Sequence, residues 1–272
     1  MLDSVLLVLR EVLEAALFIS LLFALCSKLR LKWGWGVVAI SGGLLFSWLL
    51  SHFAYAIAEA GEGIGQELVN ASLYAIAILC FMLLNAALIP LLFAGRMEEG
   101  SVAKRLTRPA PIYALSGLLV ACSIAREGSE VWIYLSAFAL NWDALASAGM
   151  GGLVGAGIGV SLGSLVYYGF AFMRDRYFFP LFVLLTHFVI GGLAMQVAKQ
   201  LMQIGWLDSG RPIWDTTWLV SERSWFGEML RALFGYDANP DRTQAICYFG
   251  ALLISLAIGG VTLAWQRRTT HA

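Results

Sequence analysis

Two charged clusters inside otherwise apolar runs constrain this chain more than any other feature. Arg10-Glu11-Val12-Leu13-Glu14 lies within a run from about Ser4 to Cys26, and Arg126-Glu127-Gly128-Ser129-Glu130 repeats its spacing within another. An ionisable side chain at mid-bilayer costs about 2.5–3.5 kcal/mol, so its presence in a spanning segment is by default a functional signal. One such lapse could be accidental. Two copies of the same Arg-Glu-x-x-Glu pattern, in segments that otherwise carry almost no charge, point to a shared site.

Both runs are long enough to cross a membrane, which needs about 20 predominantly apolar residues. The rest of the chain agrees. Of its 272 residues, 60% are hydrophobic and only 13% charged, where a soluble domain carries about 25% charged. Seven segments qualify as spans: 4–26, 35–57, 70–94, 112–140, 148–173, 178–203 and 244–265. The fold class expected is an all-α integral membrane protein of seven transmembrane helices in a single membrane domain, 1–272, with the fourth helix broken or tilted near Asn141. The first run has no basic stretch ahead of it and is expected to be retained as a helix, not cleaved as a signal peptide. Cys26, Cys80, Cys122 and Cys247 fall in or beside apolar runs without a CxxC pair, as small interior residues do.

Charge in the loops sets the orientation. Lys28, Arg30 and Lys32 follow the first segment, Arg96, Lys104, Arg105 and Arg108 the third, Arg174 and Arg176 the fifth, and Arg267 and Arg268 the seventh. Every second loop is therefore basic, and the positive-inside rule makes that side cytoplasmic. The N-terminus is expected outside and the C-terminus inside. Glu59, Glu62 and Glu67 then lie at the outer mouth, where they could funnel cations. The long outer loop, 204–243, carries Trp206, Trp214, Trp218 and Trp225, which suit a membrane interface. Within it Trp225, Phe226, Met229, Leu230, Leu233 and Phe234 share one helical face, an amphipathic helix stopping at Gly235. Asp208, Asp215 and Asp237 could offer that loop as a docking surface.

With Arg10 at 0°, Glu11 falls near about 100° and Glu14 near about 40°, so all three share a face; Arg126, Glu127 and Glu130 do the same. The first and fourth helices run in opposite directions and stand three helices apart. That is the signature of an inverted repeat, about 4–94 against 112–203, plus a seventh helix, and such folds place their site near the midplane where the repeats meet. Gly151, Gly155, Gly159 and Gly163 in the fifth helix, and Gly43, Ser47 and Ser51 in the second, have the spacing that lets helices pack closely.

Four carboxylates and two guanidiniums would carry a net charge of −2 when ionised. Oxygen ligands without sulfur or imidazole suit hard cations, ferric ion among them. The same residues leave open another divalent metal, a proton-coupled solute, or paired carboxylates in an intramembrane lipid-phosphate hydrolase. No arginine-rich phosphate-binding loop accompanies the motifs, which argues against the enzyme. Ser129, Tyr134 (one turn beyond Glu130) and His187 are candidates to line or support the site.

These residues resemble the high-affinity iron permeases, the oxidase-dependent iron transporter family. The resemblance covers nearly the whole chain. Besides the two Arg-Glu-x-x-Glu motifs, it extends to Trp214-Asp215-Thr216-Thr217-Trp218-Leu219 and Ala232-Leu233-Phe234-Gly235-Tyr236-Asp237-Ala238, which are similar to its bacterial Efe/Ftr-type branch. It implies a permease rather than an enzyme, with Glu11, Glu14, Glu127 and Glu130 as iron ligands and Arg10 and Arg126 as essential neighbours. It also implies iron as cargo with no permanent cofactor, supplied in ferric form by a partner ferroxidase or peroxidase or a periplasmic iron-binding protein. The second motif has Gly-Ser at its variable positions, where the family often has Gly-Leu or Gly-Ala. Three histidines, His52, His187 and His271, are too few for a copper oxidase site, and no G-x-x-x-x-G-K-[ST] stretch supplies an ATPase. The expected setting is the lipid bilayer of a bacterial inner membrane, with no nucleic-acid partner; a homo-oligomer is compatible with it.

Overall fold

The computed structural model describes residues 1–93, 98–221, 224, 227, 230 and 235–270. Among these, the helices are α1 (Leu2–Lys28), α2 (Gly34–His52), α3 (Ala54–Gly63), α4 (Gly65–Phe93), α5 (Ser101–Arg105), α6 (Ala110–Ser136), α7 (Trp142–Phe172), α8 (Asp175–Gln203) and α9 (Arg242–Thr270). By length and composition, α2, α4, α7, α8 and the Arg242–Trp265 part of α9 are apolar and long enough to cross a membrane. The two remaining long helices, α1 and α6, match them in length at 27 residues each. They are the two that carry three ionisable residues in five positions.

The expected second segment, 35–57, is not one helix. It stops at His52, and α3 starts beyond Phe53, whose N–H still reaches back to the Leu49 carbonyl at 3.0 Å. The backbone then turns through Gly61 (φ +60°), Glu62 (φ +68°) and Gly63 (φ +97°). Glu62 adopts there a left-handed conformation that glycine tolerates and other residues rarely do. The fourth segment ends at Ser136, earlier than expected. Asn141 then caps α7, accepting from the amides of Asp143 (3.1 Å) and Ala144 (3.2 Å), which moves the start of that helix forward to Trp142. The amphipathic helix expected around Trp225, Phe226, Met229, Leu233 and Phe234 lies outside the described residues.

The helices fall into two compact units. The first comprises Met1–Gly63 and Ser116–Met173, the second Ile64–Leu115 and Arg174–Ala272. In the first unit, α7 presents its glycine row to α1. A Cβ on Gly151 would lie 2.7 Å from the Met1 carbonyl oxygen, one on Gly155 2.4 Å from that of Val5, and one on Gly159 2.8 Å from Val12. The rise of one helix fits the other only because those side chains are missing. Along α2, Gly43 approaches Ile124 and Ala121 of α6, and Ser47 lies against Gly128 of α6.

In the second unit, α8 packs against α4 and α9 around the fully buried Phe81, Phe178, Phe179 and Phe182. A buried polar group ties α4 to α8, with the Thr186 hydroxyl donating to Asn85 Oδ1 at 2.9 Å. The segment leading to α9 is stapled onto this unit. Gly235, at φ +65°, approaches Gly192 so closely that a Cβ would come within 2.1 Å of its Cα, and Lys199 pairs with Asp237 at 2.5 Å.

Candidate metal centre

The first unit brings the two charged motifs together. α1 and α6 run antiparallel and touch at three levels. Near one end the Ser4 and Tyr134 hydroxyls lie 2.9 Å apart, near the other Cys26 Sγ lies 3.9 Å from Ser116 Oγ, and halfway between them Arg126 Nη2 donates to Glu14 Oε2 at 3.3 Å. From Ser4 to Cys26 a helix rises about 33 Å, so the charges sit near the middle of a membrane-sized helix pair.

Arg126 is the hub. Its guanidinium meets Glu14, pairs with Glu127 of its own helix, and lies 3.8 Å from Glu130 one turn on. Arg10 lies 3.4 Å from Glu11 and 3.8 Å from Glu14. Carboxylate oxygens of Glu11, Glu127 and Glu130 all fall within 4.8 Å of one another. Oxygens around one cation bound at about 2.0–2.2 Å stand no more than about 4.4 Å apart, so small side-chain shifts would let these three share an ion. Glu14, the fourth expected ligand, turns instead toward the two guanidiniums.

Burial within the cluster is graded. Glu127 is 2% and Glu11 4% exposed, whereas the side chains of Glu130 and Arg10 are 42% and 43% exposed. One edge of the cluster is therefore accessible and the other closed. Buried like charges repel strongly at low dielectric, and the two guanidiniums offset this when no cation is present.

Gly128 has a local reason. A Cβ there would fall 2.5 Å from Ser47 Oγ and 3.1 Å from Ser47 Cβ. The matching position in the first motif, Val12, is large and faces a glycine, Gly159. Each motif thus meets its neighbouring helix at a contact that has a glycine on one side, on the motif helix at Gly128 and on the neighbouring helix at Gly159.

The supporting residues fare differently. Ser129 is buried and donates to the Arg126 carbonyl at 2.7 Å. Among the described residues, the Tyr134 hydroxyl meets the hydroxyl of Ser4 on α1 rather than a carboxylate. His187 belongs to the second unit, where Nδ1 lies 2.6 Å from the Val183 carbonyl and 3.4 Å from Asn85 Nδ2. A carbonyl can only accept, so Nδ1 carries the proton and the ring is a hydrogen-bonded interior histidine. Among the described residues, Glu59, Glu62 and Glu67 do not join the carboxylate group: Glu59 accepts from Tyr55 at 2.6 Å, Glu62 lies in the left-handed turn, and Glu67 opens α4. Of the three loop aspartates, Asp208 and Asp215 are exposed. Asp237 is spent on Lys199, its side chain only 7% exposed. Sequence reasoning missed Ser4, Cys26 and Ser116, whose only signal was their position on the motif-bearing faces.

The described residues are helical, with five helices long and apolar enough to cross a membrane, and the two charged motifs converge on the antiparallel α1 and α6. The chain is similar to iron permeases of the Efe type. It is 27% identical over 260 residues, 92% of each chain, to the ferrous iron permease EfeU of Escherichia coli O6:H1 strain CFT073, and equally to that of Shigella sonnei strain Ss046. The EfeU protein of Yersinia pestis is 28% identical over 141 residues, 52% of this chain and 50% of that one. No family model matches the chain, and no solved structure matches it.

Proposed function

We propose that the chain carries iron across a membrane through the site formed by Glu11, Glu14, Glu127 and Glu130, with Arg10 and Arg126 holding the empty site together. The observation that carries this reading is the convergence of three carboxylates from α1 and α6 within 4.8 Å. Its support from relatives is that they are ferrous iron permeases.

An arriving cation competes with the guanidiniums. As it takes oxygens of Glu11, Glu127 and Glu130, Arg126 loses its hold on Glu127 and keeps Glu14, so loading rearranges the ion pairs between α1 and α6. A cluster of −2 is neutralised by a divalent ion and left at +1 by a trivalent one. Hard oxygen ligands suit ferric ion, while the relatives are described as carrying ferrous iron. Uptake measured with a ferrous chelator present, and again with a ferric one, separates the two.

In this reading α1, α2, α4, α6, α7, α8 and α9 are the seven spans, the N-terminus is outside, and residues 4–94 and 112–203 form inverted repeats that rock about the site in the inner membrane. Partner proteins, an oxidase, a peroxidase or a periplasmic iron-binding protein, would deliver the ion at the outer face. The decisive assay is radioactive iron uptake in cells expressing Glu127→Gln or Glu14→Gln at wild-type levels. Loss of uptake in both supports the assignment; wild-type rates in either remove that residue from the site. Competition by manganese, zinc or cobalt tests the cargo.

A further inference from the structure

The Ser123 hydroxyl oxygen is closed off from solvent and has no hydrogen-bond partner among the described residues. Serines in apolar helices ordinarily donate to the carbonyl one turn back. Ser72, Ser161 and Ser164 do so here, to Leu68, Gly157 and Val160. Ser123 does not. A buried hydroxyl left unpaired costs free energy, and each such case calls for a reason.

Its position supplies one. With Ser116 at the origin and about 100° per residue, Ser123 falls at about −20°, Glu127 at about 20°, Glu130 at about −40° and Tyr134 at about 0°. Ser116 and Tyr134 both touch α1, so this is the face that α6 turns toward α1. Ser123 lies on it one turn from Glu127, on the side of the Cys26–Ser116 contact. On the matching face of α1 in that half stand Ala15 and Leu22, 8% and 0% exposed. Between the carboxylates and the Cys26–Ser116 contact, the α1 side of the interface is thus apolar, and the unsatisfied Ser123 oxygen lies on the α6 face turned toward it.

We propose that Ser123 is the oxygen that receives the cation as it leaves the carboxylates toward the Cys26–Ser116 end, when that half of the α1–α6 interface opens. A hydroxyl is a hard but neutral ligand. It holds a hard cation more weakly than a carboxylate does, which suits a step from tight binding to release. One helical turn, about 5.4 Å, separates it from Glu127, short enough for the ion to be shared during the transfer. This assignment rests on the carboxylate cluster being the cargo site.

The test is initial-rate iron uptake by Ser123→Ala and Ser123→Thr beside Glu127→Gln. Ser123→Ala should lower the maximal rate roughly tenfold, since a hydrogen-bonding group facing a charge is lost, while the iron concentration at half-maximal rate is unchanged because loading is intact. Ser123→Thr, which keeps the hydroxyl, should restore the rate. A wild-type maximal rate in Ser123→Ala, or a fall that threonine does not rescue, overturns the proposal. A wild-type rate in Glu127→Gln overturns the cargo site itself. Should Ser123→Ala fail to reach the membrane, Ser123→Cys in a chain whose four native cysteines are alanine gives a second reading. A membrane-impermeant thiol reagent added to the cytoplasmic side during iron transport should modify it, and unchanged thiol after that treatment also overturns the proposal.

Discussion

Replacing Gly155 with alanine tests the packing that sets the height of α1, and with it Glu11. The new Cβ would sit 2.4 Å from the Val5 carbonyl oxygen and 2.9 Å from the Leu9 amide nitrogen. Both are backbone atoms of α1, so no side chain can swing aside and the two helices must part. Overpacking of this kind costs about 1–3 kcal/mol. Two residues along the same helix, Gly157 has nothing within 4 Å of its notional Cβ. Alanine there should gain about 0.5–1 kcal/mol from helix propensity alone. The expected gap between Gly155→Ala and Gly157→Ala is about 1.5–4 kcal/mol, or roughly 3–16 °C in Tm for a chain of this size. Thermal unfolding of the two purified variants in one detergent measures it. Iron uptake should fall in Gly155→Ala, whose α1 is displaced, and persist in Gly157→Ala. Midpoints within about 2 °C of each other would refute the α1–α7 packing described above.

The glycine on one side of each motif contact predicts a rescue: Gly128→Ala should lower Tm, because its Cβ would fall 2.5 Å from Ser47 Oγ, and adding Ser47→Gly should restore most of it by moving the glycine to the other helix, as at Val12–Gly159. The register of α1 on α6 predicts that Ser116→Cys forms a disulfide with Cys26 on mild oxidation, because Oγ of Ser116 already lies 3.9 Å from Cys26 Sγ; non-reducing proteolytic mapping detects it. In the loop before α9, the Thr217 hydroxyl and amide hold the exposed Asp215 carboxyl below its ordinary range. A lowered folded-state value means that this turn's stabilisation is complete above about pH 4 and is lost as pH falls through the lower folded value. Thr217→Val should move the Asp215 titration back up, as read by carboxyl NMR.

The long helices were legible because apolar length and loop charge carry the signal locally. The exception is informative: apolar residues continue past His52 into Ala54–Ile57, so the break at Phe53 was hidden. It goes with the turn at Gly61–Glu62–Gly63, several residues further on. Periodicity placed each motif's charges on one face, and the structure brings those faces together. It could not tell that Glu14 would turn to Arg126, because that depends on the register of α6 against α1, a long-range property. The same holds for Tyr134, one turn from Glu130 by spacing yet held by Ser4 from the other helix. Small-residue rows announced close packing, but not that α7 would receive α1 while α2 would receive α6. His187 sits midway along an apolar helix like a site residue, and only its contacts with Val183 and Asn85 place it in the core of the second unit.

The central claim is that one cation is held by carboxylates from both motif-bearing helices. X-ray absorption at the iron edge on the purified, iron-loaded protein, compared with Glu11→Gln and Glu127→Gln, addresses it directly. The account predicts an oxygen-only shell at about 2.0–2.2 Å that is lost or depleted when either glutamate is replaced. An iron spectrum with sulfur or imidazole in its first shell, or one that both substitutions leave unchanged, would contradict it.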